Sequence, residues 1–178
     1  FLGLDGPGGV WQKQFGGVDN AGEGVIVGVL DTGITPESGS FAALPEPRPD
    51  ADVIAGKWLG RCDTSGENPV ECNNKLIGAR YYNTDEDIVI ADRDFLSARD
   101  YNGHGTHTVG TMVGGSAGGS PIGVAPGATV VAAKAMNASG VGAGSNLLAA
   151  AQWMTDPDGN PATADYPSVV NGSWTTGD

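Results

Sequence analysis

A chain of 178 residues, 39% of them hydrophobic, can bury one core and is too short for two. Its 30 glycines and 11 prolines follow no fixed period, which excludes a collagen-like rod and predicts a fold rich in tight turns. A net charge of -12 with only 9 Lys and Arg excludes a nucleic-acid partner, and no apolar run reaches the roughly 18 residues of a membrane span.

The first residue is Phe1, with no charged stretch leading into an apolar one, so a removed targeting segment or a cut piece of a longer protein is expected. Gly24 to Leu30 (GVIVGVL) is a β-branched run bounded by glycine, the pattern of a strand buried on both faces of a parallel sheet. Pro36 to Pro49 is Pro-rich and reads as loop. Cys62 and Cys72 are ten positions apart in a polar segment. A pair that close staples a surface loop when its Cα atoms come within about 7 Å. A disulfide is preferred to a metal pair, because no other Cys exists and both His lie elsewhere, and it points to an oxidising, extracellular compartment.

Lys75 to Tyr82 predicts a short strand, and the acidic segment Thr84 to Asp94 a loop. Its cluster of Asp85, Glu86, Asp87, Asp92 and Asp94 is read as solvated. His104 to Gly115 has small residues and Val at near-helical spacing, with glycines that permit close packing on a sheet. Thr129 to Met136 is a second buried strand. Leu147, Leu148, Ala151 and Met154 form a helical stripe, capped by Ser145 or Asn146. Asp156 to Pro161 is a turn and Pro167 to Ser173 a further strand. Strands alternating with helices predict an α/β fold, a mostly parallel sheet flanked by helices in three layers.

Functional groups of such sheets collect beyond the carboxyl ends of the strands. Asp31 stands there, followed by Thr32-Gly33, which turn the chain away. A bland use of Asp31 is to cap that turn. His104, between Gly103 and Gly105, opens the small-residue helix, where the positive dipole end favours a neutral imidazole suited to general-base work. His107 is three positions on, but HGTH has neither the spacing nor the Glu of the zincin motif, so no metal is expected there.

VIVGVLDTGI at 25–34, NGHGTHTVGTMVGG at 102–115, GVAPGATVVAAKAM at 123–136 and PSVVNGSW at 167–174 resemble the subtilases, the subtilisin-like serine endopeptidases. The segment 57–82 is similar to the larger plant-type and related bacterial members, which often carry a protease-associated domain inserted further downstream. The resemblance implies that Asp31 orients His104 and that His104 is the general base that activates a serine. It makes His107 a buried structural residue. Matching KAMNASGVGAGS puts Gly140, Val141 and Gly142 on the strand that pairs with an extended substrate, and Ser173, Trp174 and Thr175 on the wall of the primary specificity pocket. The family's GTSMA-like nucleophile motif does not occur in these residues. The chain is therefore expected to be the N-terminal portion of a subtilisin-like catalytic domain, incomplete and inactive alone.

The implied partners are a polypeptide substrate, the remaining part of the same domain and an inhibitory propeptide, and the implied location is extracellular. Calcium is common in subtilases, so the resemblance allows a structural calcium, yet no Asp-x-Asp-x-Asp-Gly loop supports one and no other cofactor or metal is expected. The sequons at Asn137 and Asn171 lie inside the substrate segments and are read as fortuitous. Two rivals differ in class. An aspartic protease would use Asp31-Thr-Gly but needs a second carboxylate in an all-β fold. A non-catalytic binding module would have lost its serine half.

Overall fold

The computed structural model describes residues 2–82 and 94–175. Four strands, β1 (Ile26–Asp31), β2 (Leu76–Tyr81), β3 (Thr129–Lys134) and β4 (Val169–Asn171), form one parallel sheet in the order β2-β3-β1-β4. The strand expected to end at Leu30 includes Asp31, which pairs with Lys134. Among the described residues four α-helices accompany it: α1 (Val10–Phe15), α2 (Ala51–Lys57), α3 (His104–Val113) and α4 (Gly144–Thr155). The first two have no counterpart in the sequence reading, since six or seven residues are too few to establish a helical period.

Every residue of β1 and of β3 is buried, and alternate residues point to opposite layers. Val27, Val29, Val130 and Ala132 pack with Val109 and Val113 of α3. Ile26, Leu30, Val131 and Ala133 pack with Ala150, Trp153 and Met154 of α4. This two-sided burial is why the strands read as continuous apolar runs. It gives the three-layer α/β architecture that the alternation of elements predicts.

Local details differ from expectation. The residue before α4 is Ala143, which has no capping side chain, because Gly144 already adopts helical backbone. Asn146 therefore lies inside the helix, buried, and Ser145 within its first turn. The Pro-rich segment is loop apart from a 3-10 turn at Gly39–Phe41 that buries Phe41. Cys62 and Cys72 form a disulfide, with Cα atoms 5.6 Å apart. Lys75, fully buried at the start of β2, donates to the carbonyls of Pro126 and Ala128, both at 2.6 Å. Burial, with Arg48 nearby, pulls its pKa down to about 7.

Of the acidic cluster, Asp85, Glu86, Asp87 and Asp92 lie outside the described residues. Asp94 is not solvated. Its side chain is 1% exposed and receives the ammonium of Lys134 at 2.6 Å. A hydrophilic stretch hides such a partner, because Lys134 is forty residues away on β3.

Candidate active site

Because all four strands run the same way, β1, β3 and β4 deliver their carboxyl ends to one rim of the sheet. Asp31 is the last residue of β1, and its side chain is 1% exposed. The Asp31 Oδ1 atom accepts two hydrogen bonds, from the Thr32 N–H at 2.8 Å and from His104 Nδ1 at 2.7 Å. Asp31 thus both caps its own turn and holds the imidazole. A carboxylate only accepts, so the proton of a neutral ring resides on Nδ1 and Nε2 keeps its lone pair. The His104 side chain is 49% exposed, which leaves Nε2 on the accessible side of the contact. A buried acceptor, an oriented ring and an available basic nitrogen are the parts of a general base.

Two glycines permit this contact. Gly33, at φ +119, turns the chain off β1, and a Cβ there would come within 2.6 Å of the Ala98 carbonyl. A Cβ on Gly105 would lie 2.4 Å from the Gly33 carbonyl, so only glycine lets the first turn of α3 sit against the Asp-Thr-Gly turn.

Helix α3 starts after Gly103, in the left-handed conformation and without a capping side chain of its own. Its unpaired amides are satisfied from elsewhere. Asn102 Oδ1 accepts from the His104 N–H at 3.2 Å, and Thr32 Oγ1 from the Gly105 N–H at 2.9 Å. Asp100 Oδ2 accepts from the Thr106 N–H at 2.9 Å and from its hydroxyl at 2.6 Å. Asp100 Oδ1 accepts from the Gly103 N–H at 2.8 Å and from the Thr32 hydroxyl at 2.9 Å. Asp100 therefore joins the turn after Asp31 to the first turn of the helix that carries His104.

The sequence reading passed over Asp100. The available signal was an acidic residue just ahead of a helix start, but its reach to Thr32 is a long-range contact that no local pattern contains. Burial by itself would raise the Asp100 carboxyl. The bonds from Thr106, Gly103 and Thr32 outweigh it and hold the pKa below the ordinary 3.8. A depressed carboxyl stabilises the fold fully above the unfolded pKa, and that contribution is lost as pH falls through the folded one. Asp100→Ala strands four donors, so a loss of about 2 kcal/mol or more is expected in urea unfolding at neutral pH. Below the folded pKa of Asp100 the gap between variant and parent should narrow. An unchanged gap down to strongly acid pH would remove Asp100 from this role.

His107 is exposed, contrary to the buried position implied by resemblance. The face of α3 against the sheet is Gly105, Val109 and Val113, and position 107 falls on the opposite side. Gly140, Val141 and Gly142 follow a turn at Asn137–Gly140 and lie in a loop outside the named strands. Asn137, 3% exposed, braces that turn, since its Oδ1 accepts from Ser139 N–H at 2.9 Å and Val141 N–H at 3.0 Å. The loop reaches the approach to His104 through Asn102, whose Nδ2 donates to the Ala138 carbonyl at 2.8 Å. Ser173, Trp174 and Thr175 continue from β4 and are exposed. Trp174 is no core residue: it is 38% exposed, with its indole over Gly172.

Comparison with known proteins places the chain in a family. The profile of the Subtilase family matches residues 22–178. The chain is 42% identical to Subtilisin-like protease SBT1.2 of Arabidopsis thaliana over 154 residues, covering 75% of this chain and 18% of that protein. It is 38% identical to SBT1.6 of the same plant over 149 residues, with the same coverage of each chain. With SBT2.2, also from Arabidopsis thaliana, identity is 35% over 163 residues, covering 84% of this chain and 19% of the relative. The chain thus spans less than a fifth of the length of these relatives. With the family's profile matched across most of its residues, this chain belongs to the subtilase family.

Proposed function

We propose that these residues are the N-terminal part of a subtilase catalytic domain, and that the longer protein is a secreted serine-type endopeptidase. The observation that carries this reading is the 2.7 Å contact between buried Asp31 and half-exposed His104. A serine supplied from beyond Asp178 attacks the scissile carbonyl carbon, and His104 Nε2 takes the hydroxyl proton. Asp31 holds the Nδ1–H and stabilises the imidazolium that results. The same proton then goes to the leaving amine as the C–N bond breaks, leaving an acyl-serine that water hydrolyses by the same route. Without the nucleophile, residues 1–178 alone do not turn over peptide bonds.

An extended polypeptide pairs with the backbone of Gly140, Val141 and Gly142, where Val141 is 54% exposed and its neighbours carry no side chain. Ser173, Trp174 and Thr175 wall the primary pocket, with Trp174 narrowing it. The remainder of the domain covers the exposed faces of Val169 and Val170 on β4 and of Leu148 on α4. An inhibitory propeptide occupies the substrate edge before activation. The disulfide supports an oxidising, extracellular setting. Among the described residues no helix is long and apolar enough to cross a membrane. The titratable group on Asp31 is an imidazole rather than a second carboxylate, which favours this chemistry over that of an aspartic protease.

A fluorophosphonate probe on the full-length protein tests the reading. One serine beyond Asp178 should be labelled, and labelling should vanish in His104→Ala. A folded protein that takes no label, or takes it equally without His104, would overturn the proposal.

A further inference from the structure

The turn at 156–161 brings together carboxylates that the sequence keeps apart. One oxygen from each of Asp156, Asp158 and Asp165 lies within 4.8 Å of the other two. Asp158 is exposed and internally bonded: its Oδ1 accepts from the Asn160 N–H at 2.8 Å, and the Thr163 hydroxyl reaches Oδ1 and Oδ2 at 3.1 and 3.2 Å. Asp165 is 1% exposed, and its Oδ1 accepts from the Thr163 hydroxyl at 3.3 Å. Asp165 Oδ2 and Asp156 Oδ1 are buried and accept no hydrogen bond from the described residues. Among the described residues, no Lys or Arg forms an ion pair with any of the three.

Converging carboxylates with two buried, unpartnered oxygens are costly unless a positive charge joins them. We propose that Asp156, Asp158 and Asp165 bind a calcium ion that pins the loop between α4 and β4. The all-oxygen donor set selects a hard cation. Ligands on opposite sides of an ion are separated by twice the metal–oxygen distance, about 4.6–5.2 Å for calcium against about 4.0–4.2 Å for magnesium. Separations of no more than 4.8 Å fit within one calcium shell. The remaining positions of its shell fall to backbone carbonyls and water, as this cation accepts. The ion would hold the lead into β4, and so the register of Val169–Asn171 from which Ser173, Trp174 and Thr175 project. This proposal is independent of the peptidase chemistry.

The test uses chelator-treated full-length protein and terbium as a luminescent calcium analogue. Trp153, on the last turns of α4 and beside Asp156 and Asp158, supplies the sensitising indole. Tryptophan-excited terbium emission is expected, displaced by calcium far better than by magnesium, together with a calcium-dependent rise of several degrees in Tm. Asp158→Asn and Asp165→Asn should each weaken binding at least tenfold. Asp158 is exposed, so its variant carries the test if Asp165→Asn fails to fold. Absent terbium emission, unchanged affinity in Asp158→Asn, or equal displacement by magnesium would overturn the proposal.

Discussion

Peptide hydrolysis by the full-length protein is expected to fall on the order of 10⁶-fold in kcat when His104 becomes alanine, and roughly 10⁴-fold when Asp31 becomes asparagine. The two losses differ because the residues do different things. In the proposed mechanism His104 moves a proton in each half of the reaction, and no other group takes the place of Nε2. Asp31 touches no substrate; it selects the tautomer through Nδ1, which lies 2.7 Å from Oδ1. An asparagine there can present its amide N–H₂ to Nδ1, which forces the proton onto Nε2 and removes the lone pair that the serine needs. KM should change little in either variant, since the proposed ground-state binding runs through the loop at Gly140–Gly142 and the segment after β4. Steady-state kinetics on a chromogenic peptide, with circular dichroism to verify folding, checks this. A loss below about tenfold in His104→Ala would refute its role.

Lys134→Met is expected to cost about 3–5 kcal/mol of folding stability, the loss that follows when one partner of a buried ion pair is removed. Both side chains of the Lys134–Asp94 pair are 1% exposed. The three ammonium protons have three acceptors: Asp94 Oδ1 at 2.6 Å, the Phe95 carbonyl at 3.0 Å and the Arg99 carbonyl at 2.8 Å. Burial lowers the pKa of Lys134, and Asp94 opposes the shift. Asp94 Oδ2 also accepts from the Ala138 N–H at 2.9 Å, so one pair ties β3 both to the segment leading into α3 and to the loop before Gly140. Removing the ammonium leaves a buried carboxylate unpaired and two carbonyls unbonded. The double variant Lys134→Met/Asp94→Leu should recover part of the loss, because it removes the orphaned charge as well. Urea unfolding of the four species of this cycle gives the coupling energy. A single-variant loss under about 1 kcal/mol would show that the pair is dispensable.

Several elements were legible in the residues for a definite reason. The runs at Gly24–Leu30 and Thr129–Met136 are strands because burial on both faces demands unbroken apolar sequence, a signal few loops imitate. The small residues of His104–Gly115 announced a helix pressed against the sheet, and Val109 and Val113 make that contact. Asp31 stood out at the end of an apolar strand ahead of Thr32-Gly33, and His104 between two glycines at a helix start, and the resemblance to subtilases joined them. Where the reading failed, the cause was tertiary packing or, for α1 and α2, too few residues to show a helical period. Asp94 looked solvated until β3 supplied Lys134, and His107 looked structural until the packing face of α3 was fixed by Gly105, Val109 and Val113.

The amino-acid order by itself determined the parallel sheet, the helices α3 and α4, the close cysteine pair and, through the subtilase-like motifs, Asp31 and His104. These follow from periodicity, short spacing and local motifs, which are one-dimensional properties. Tertiary structure alone decided which polar groups meet: Asp100 with Thr32 and Thr106, Lys134 with Asp94, Asp165 with Asp156 and Asp158. Such contacts depend on directional hydrogen bonds and charges across ångström distances. A chain specifies those only after its apolar faces have been buried and its strand ends brought to a common rim.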